Sequence, residues 1–442
     1  VGELEKMRNV VRTSVVVSLL VGILPLWAIP CPAADVPRLM ATARRAGFRV
    51  LEGVHLALAT DRPPRAGDGV DELPLAFDQA FATWCRHYRL DPAAHAGWKA
   101  FGCLIVDRER FRAAGLLPDD VPDFANGFAA GDRFWMADQS NPAYRRHLLL
   151  HEGVHCFTLT VRESTAPIWY HEGIAEYLAT HRLDAAGGDV RFVPTPIPAQ
   201  PTDVEQLGRI EQLREMRRAG RCPSVDDVLA APIAQRNDIG AYATKWALVA
   251  MLAGHPHYAT AFGDVERGPL AADFNARLAR MPGWDAARVS RDFDALTDEI
   301  DYGYDFGRSV IDWSPGEERP LPARITVNSA RGWQNAGWSL QKGKQYSFTA
   351  AGRVKVGEAS AGRLDSEAIG ISLRWYRGRP VGKLLIAQWI EPDAGTRGSF
   401  RVLAEGAAGT LTAATDGPLY LKLNESPGEL ADNEGALTVT IE

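Results

Sequence analysis

Five cysteines in 442 residues leave little room for thiolate chemistry. None has the short paired spacing that a cysteine zinc site needs. Positive charge is not in excess either: 49 Lys and Arg stand against 55 Asp and Glu, a formal net charge of -6. That balance gives no footing for a nucleic-acid partner. Long apolar runs are scarce. The one candidate, 15–29, is short for a membrane span and is broken by Pro25. Arg8 and Arg12 precede it, and Ala33 and Ala34 follow. This is the order of a secretory leader, so residues 1–34 are expected to be a cleaved signal peptide. The product is then exported, periplasmic or secreted, with no stable membrane span. Cys85, Cys103, Cys156 and Cys222 remain after cleavage. An even number permits two disulfides, of which Cys85 to Cys103 is the more local, and equally permits four buried thiols.

What the chain does have is apolar bulk, 46% hydrophobic against 24% charged, enough for two or three domains. It also has one stretch dense in chemistry. His151-Glu152-Gly153-Val154-His155 is a HExxH pattern, two imidazoles four apart on one helical face with a carboxylate beside them. A catalytic zinc wants a third protein ligand, and Glu172 in Trp169-Tyr170-His171-Glu172-Gly173-Ile174-Ala175-Glu176-Tyr177 is placed to be one. Asn141 suits a helix cap with Pro142 first inside, and the helical pattern runs to about Val161. Residues 162–166 read as a turn, and Pro167 suits the first position of a second, antiparallel helix. At ~1.5 Å of rise per residue, His155 lies ~9 Å back from one end and Glu172 ~7.5 Å into the other helix, so the two come level.

The neighbouring histidines have other readings. His147 is one turn before His151 but two turns from His155, so the three do not easily share one ion, and His147 is expected to support a ligand or lie at the surface. His171 competes with Glu172 as third ligand. Glu176, one turn after Glu172, is expected to orient a ligand imidazole rather than bind metal.

Upstream, 48–51 and 54–58 read as strands, Leu73 to Tyr88 shows helical spacing, and 101–106 and 132–137 read as further strands. The strand at 132–137 is expected to form a sheet edge that pairs with an extended peptide. Downstream, Tyr242 opens an apolar helix. It is a candidate oxyanion donor, or else a tyrosine packing on the hairpin. Residues 314–322, rich in Pro and Glu, read as a linker. From 323 to 442 the period changes to short alternating strands with Gly, Asp and Asn turns, as in a β-sandwich.

HEGVH followed by Pro-x-Trp-x-x-Glu-Gly-x-Ala-Glu-Tyr resembles the gluzincin metallopeptidases of the peptidase-MA-like group, related to the aminopeptidase N and thermolysin type. The resemblance implies zinc held by His151, His155 and Glu172, with Glu152 as general base. It also implies a peptide or protein substrate, and it favours Tyr242 as oxyanion donor. The segment Asn424-Glu425-Ser426-Pro427-Gly428-Glu429-Leu430-Ala431-Asp432-Asn433-Glu434-Gly435, with Ala350-Ala351-Gly352, resembles the bacterial calcium-dependent galactophilic lectins. This implies a Ca2+ loop with side-chain oxygens from Glu425, Asp432 and Asn433 and a main-chain carbonyl from Glu429, and cell-surface or envelope carbohydrate as partner. Glu425 stands where a shorter acid is usual and Glu429 where a hydroxyl is usual. The plain alternative is a turn that closes a hairpin.

The expected architecture is α+β. Residues 35–313 form a thermolysin-like metallopeptidase domain with a mixed sheet and a HExxH helical hairpin, 314–322 a linker, and 323–442 an all-β sandwich. The expected function is a zinc peptidase. The alternative is a glycan-binding protein with an inactive peptidase-like domain.

Overall fold

The computed structural model describes residues 35–184, 191–204, 208–232, 239–318, 320–360, 362–393 and 395–442. The expected leader, 1–34, lies outside the described residues.

The first elements are α1 (Val36–Arg45), β1 (Arg49–Glu52), β2 (Leu56–Thr60), α2 (Leu73–His87), β3 (Ala100–Ile105), α3 (Arg108–Ala113), β4 (Gly127–Ala130) and β5 (Arg133–Ala137). Their strands form one mixed sheet in the order β1-β2-β3-β5-β4. The inner pairs β2/β3 and β3/β5 are parallel, and the outer pairs β1/β2 and β4/β5 are antiparallel. Every residue of β2 and β3 is buried. Continuous apolar strands of this kind follow when both faces of a sheet are covered. One face carries Val36, Phe48, Phe101, Cys103 and Phe111, packed under α1 and α3. The other carries Leu56, Leu58 and Phe134, packed with Phe77, Trp84 and Cys85 of α2.

This arrangement corrects two expectations. The strand at 132–137 is not an edge, because β5 is paired on both sides; the edge on its side of the sheet is β4, four residues whose pairing with β5 begins at Gly127 opposite Met136. Cys85 and Cys103 do not pair, because the sheet separates the two cores they belong to. All four described cysteines are free and buried.

A helical layer follows on the α2 face. It comprises α4 (Pro142–Thr160), α5 (Ile168–Ala179), β6 (His181–Asp184), β7 (Arg191–Pro194), α6 (Arg209–Arg218), α7 (Val225–Leu229), α8 (Ile239–Gly254), α9 (Ala259–Arg267), α10 (Phe274–Leu278) and α11 (Ala286–Glu299). Among the described residues no helix is long and apolar enough to cross a membrane.

The C-terminal region is built from β8 (Ala323–Asn328), β9 (Gln334–Leu340), β10 (Gln345–Ala351), β11 (Val354–Ala359), β12 (Gly362–Ser366), β13 (Ile369–Tyr376), β14 (Arg379–Ile390), β15 (Ser399–Glu405), β16 (Ala408–Thr412), β17 (Gly417–Leu423) and β18 (Ala436–Ile441). One sheet runs β16-β10-β18-β8; the other runs β13-β14-β17-β9 with β15 also on β14. Strict alternation of buried and exposed residues in β8 gives a sheet with one wet face. Its inward residues, Ile325 and Val327, meet Leu384, Ile386, Leu421 and Leu423 from the facing sheet.

The two regions are packed together. Trp333, Trp389 and Tyr420 join Ala295 of α11 and Ile311 in a shared apolar cluster, with Trp313 and Phe400 against it. Lys422 pairs with Glu299 at the end of α11. The expected linker lies along β9, where Glu317 N donates to Gly337 O (3.2 Å) and Ser339 N donates to Glu317 O (3.0 Å).

Candidate metal centre

Helix α4 begins as its sequence suggests. Asn141 Oδ1 accepts from Tyr144 N at 2.8 Å, and Pro142 occupies the first turn. The helix is buried nearly all round, between β4 and β5 on one side and α2 and α5 on the others. Such packing explains Gly153 in the HEGVH run: a Cβ there would approach Trp84 Cη2 to 2.8 Å. Gly173 does the same for α5, where a Cβ would come within 2.6 Å of Lys245 O on α8. Both glycines let helices close in behind the residues that carry the chemistry. Helix α5 starts one residue later than expected, with Pro167 as its extended N-cap residue.

The hairpin brings His151, His155 and Glu172 to one point. His155 Nε2 lies 3.1 Å from His151 Nε2, and Glu172 Oε2 lies 3.3 Å from His151 Nε2 and 3.4 Å from His155 Nε2. Donor atoms ~2.0–2.1 Å from one tetrahedral ion are about 3.3 Å apart, so the triangle has the dimensions of a filled zinc face. All three residues are at most 5% exposed. Three buried donors of this type can hold a metal ion. Without one, burial acts to lower the His151 imidazole, but its hydrogen bonds to the Glu172 and Glu176 carboxylates outweigh it and raise it to about 10.

A second ring of side chains holds the first. Glu176 Oε1 is 3.2 Å from His151 Nδ1, which leaves Nε2 for an ion, as expected for an orienting carboxylate. Its Oε2 is 3.2 Å from His147 Nε2. Arg209 of α6 grips both oxygens, at 2.8 and 2.9 Å. Burial would push the Glu176 carboxyl up, but Arg209 and then His147 hold it well below the usual range. His147, His151 and Glu176 also form a possible metal-holding group, yet Arg209 already supplies the cation there. His171 is turned away: its Nε2 lies 3.1 Å from Ser164 Oγ, so Glu172 is the ligand candidate that reaches the centre.

Glu152 is buried and lies against the edge strand, where a Cβ on Gly127 would overlap its Oε1. The Tyr242 ring stands edge-on to His151 with centroids 5.9 Å apart. Arg209 Cζ and the buried Lys245 Nζ each lie 5.7 Å from the Tyr242 ring centroid, giving that wall of the site a positive field. Arg209, Gly127 and Lys245 have no local motif to announce them. Lys245 is the most legible, a lone amine in an apolar helix.

The candidate calcium residues converge only in part. Asn433 Nδ2 donates to Glu425 Oε2 at 2.6 Å, and the buried Glu425 Oε1 and Asn433 Oδ1 have no hydrogen-bond partner. Two such oxygens suit a hard cation. Burial pushes the Glu425 carboxyl up to about 8. The Glu429 carboxylate pairs with Arg374 at 2.9 Å, a side-chain contact that does not bear on the main-chain carbonyl expected of it, and Asp432 is exposed beside them. The loop also has a covered back, since Gly428 presses on the Tyr302 carbonyl and on Gly303.

No protein-family model matches this chain, and no curated protein does. A solved structure described as "EclA N-terminal domain; PllA-like lectin" is similar at 17% identity over 27% of this chain and 92% of that one. Its TM-score is 0.19, a likeness too slight to carry a functional argument.

Proposed function

We propose that the chain is an exported zinc-dependent peptidase, with a thermolysin-like catalytic domain at 35–313 and a C-terminal β-sandwich that binds calcium and glycans. The observation that carries the reading is the 3.1–3.4 Å triangle of His151, His155 and Glu172, with Glu152, next to His151 in the helix, against Gly127 of edge strand β4.

Zinc bound there supplies a Lewis acid that polarises a carbonyl and acidifies water. The protein's own groups do the rest. The open edge of β4 pairs with an extended peptide, as sheet edges do, and lays a scissile bond beside Glu152. Glu152 takes a proton from the attacking water and passes it to the leaving amine. Tyr242, in the field of Arg209 and Lys245, donates to the oxygen that gains charge. Glu176 and Arg209 keep His151 in the tautomer that presents Nε2 inward.

The test is metal analysis joined to hydrolysis of a peptide library. About one zinc per chain is expected, lost in Glu172→Ala. Cleavage should vanish in Glu152→Gln with zinc retained. Zinc without any cleavage would leave a binding protein with an inactive centre. For the sandwich, calcium-dependent retention on a galactose matrix should be lost in Glu425→Ala, and retention that survives would exclude the loop as the sugar site.

A further inference from the structure

A cavity of about 420 Å³ opens beside the metal centre, between the first turn of α4 and strand β6. Its floor is His147, one helical turn (~5.4 Å) from His151 and bonded to the same Glu176. Tyr144 forms a wall, and it is near enough to the centre to feel the charges of Arg209, Glu176 and Glu152. A peptide advances ~3.3–3.6 Å per residue when extended, so a residue next to a bond held at Glu152 would reach this space.

The lining is cationic. Arg146 and Arg182 both contribute to it. His181 adds no charge: its Nε2 accepts from Arg146 Nε at 2.7 Å and its Nδ1 donates to the Ala179 carbonyl at 2.7 Å, so the ring is neutral. Among the described lining residues the one acid is Asp203, and it is occupied by its own turn, where it accepts from Ala199 N at 2.9 Å and Gln200 N at 3.1 Å. Pro142, Ala143, Leu183 and Val204 add apolar contact area around these cations, and a wholly hydrophobic side chain seated there would leave the polar groups of the lining unsatisfied.

We infer that this cavity is the subsite for a carboxylate on the substrate, next to the scissile bond, with Arg146 and Arg182 as its specificity-determining residues. The inference rests on the peptidase reading for its geometry. The carboxylate can be an Asp or Glu side chain or the end of the peptide, and the two sources are separable.

The experiment uses the zinc-loaded full chain and three matched peptide sets: internal Glu, the same with Gln, and free against amidated C-termini. A preference of roughly 10–100-fold in kcat/KM for the acid over its amide is expected, the scale of one charge-assisted contact. It should shrink to near unity in Arg182→Ala combined with Arg146→Lys, and weaken with salt. Arg182→Glu should favour Lys in place of Glu. A preference for free over amidated termini alone would assign the site to chain ends. The same peptides are titrated onto Glu152→Gln by fluorescence anisotropy. Acid-over-amide discrimination there, with no hydrolysis by the wild type, would keep the subsite and sink the peptidase reading. Equal binding of acid and amide, or a preference unchanged in the arginine variants, would overturn the subsite. Thermal melts of each variant separate misfolding from lost recognition.

Discussion

His155 Nε2 and Glu172 Oε2 stand 3.4 Å apart across the α4–α5 hairpin, although seventeen positions separate them in the chain. Helix α4 residues pair with α5 in reverse order, His147 with Glu176 and His155 with Glu172, which is the antiparallel register. The contact is what the length of the turn permits. A turn one helical step longer would carry Glu172 ~5.4 Å past the histidines.

Metal removal should therefore destabilise the folded chain. An ion that binds only the native state adds about 4 kcal/mol at a thousand times its Kd. Chelator should lower Tm and zinc should restore it, while Glu172→Ala should show neither effect. Calorimetry with and without chelator checks this.

Glu152→Gln keeps the shape of the side chain and removes its basicity. Turnover is expected to fall by roughly 10²–10⁴ with zinc content unchanged. Single-turnover assays alongside metal analysis read both quantities.

Arg209→Met leaves Glu176 buried beside two imidazoles without its guanidinium. Zinc affinity should drop by about 10–100-fold, as for other groups that orient metal ligands. Competition with a chromophoric chelator measures it, and partial recovery in Arg209→Lys would separate charge from packing.

Gly127→Ala places a methyl where Glu152 Oε1 now lies. The overlap should cost ~1–3 kcal/mol of stability or displace the carboxylate. A loss of kcat larger than the change in Tm explains would identify displacement.

The pH dependence of the C-terminal region should be set in part by Glu425. Its folded value, about 8, lies above the ordinary 4.5, so the native state holds the proton more tightly. Stability from this group is then full below about 4.5, declines as pH rises through the window, and levels off above about 8. Glu425→Gln should flatten that slope in chemical denaturation from pH 4 to 9 (roughly).

The α4–α5 hairpin and the change to alternating strands after the expected linker were legible because both are local. A cap, a turn length and a period of 3.6 or 2 are written in neighbouring residues. The β4 edge was not: four residues with a small apolar pattern have no periodicity to distinguish them from a loop, and the strand at 132–137 carried the stronger signal. The cysteine pair failed for a similar reason. Cys85 and Cys103 are near in sequence, but the side of the sheet each faces depends on strand register and helix crossover.

By itself, then, the sequence determined the helical hairpin, the level placement of Glu172 against His151 and His155, and the apolar alternation of the C-terminal strands. Only the tertiary structure decided which strand is the edge beside Glu152, that Arg209 closes on Glu176 from thirty-three positions away, and that Glu425 and Asn433 meet while Glu429 turns to Arg374. Those contacts join segments that share no local pattern. They exist because the sheet and the helical layer bury both faces at once, and burial of a charge selects whichever distant partner can satisfy it.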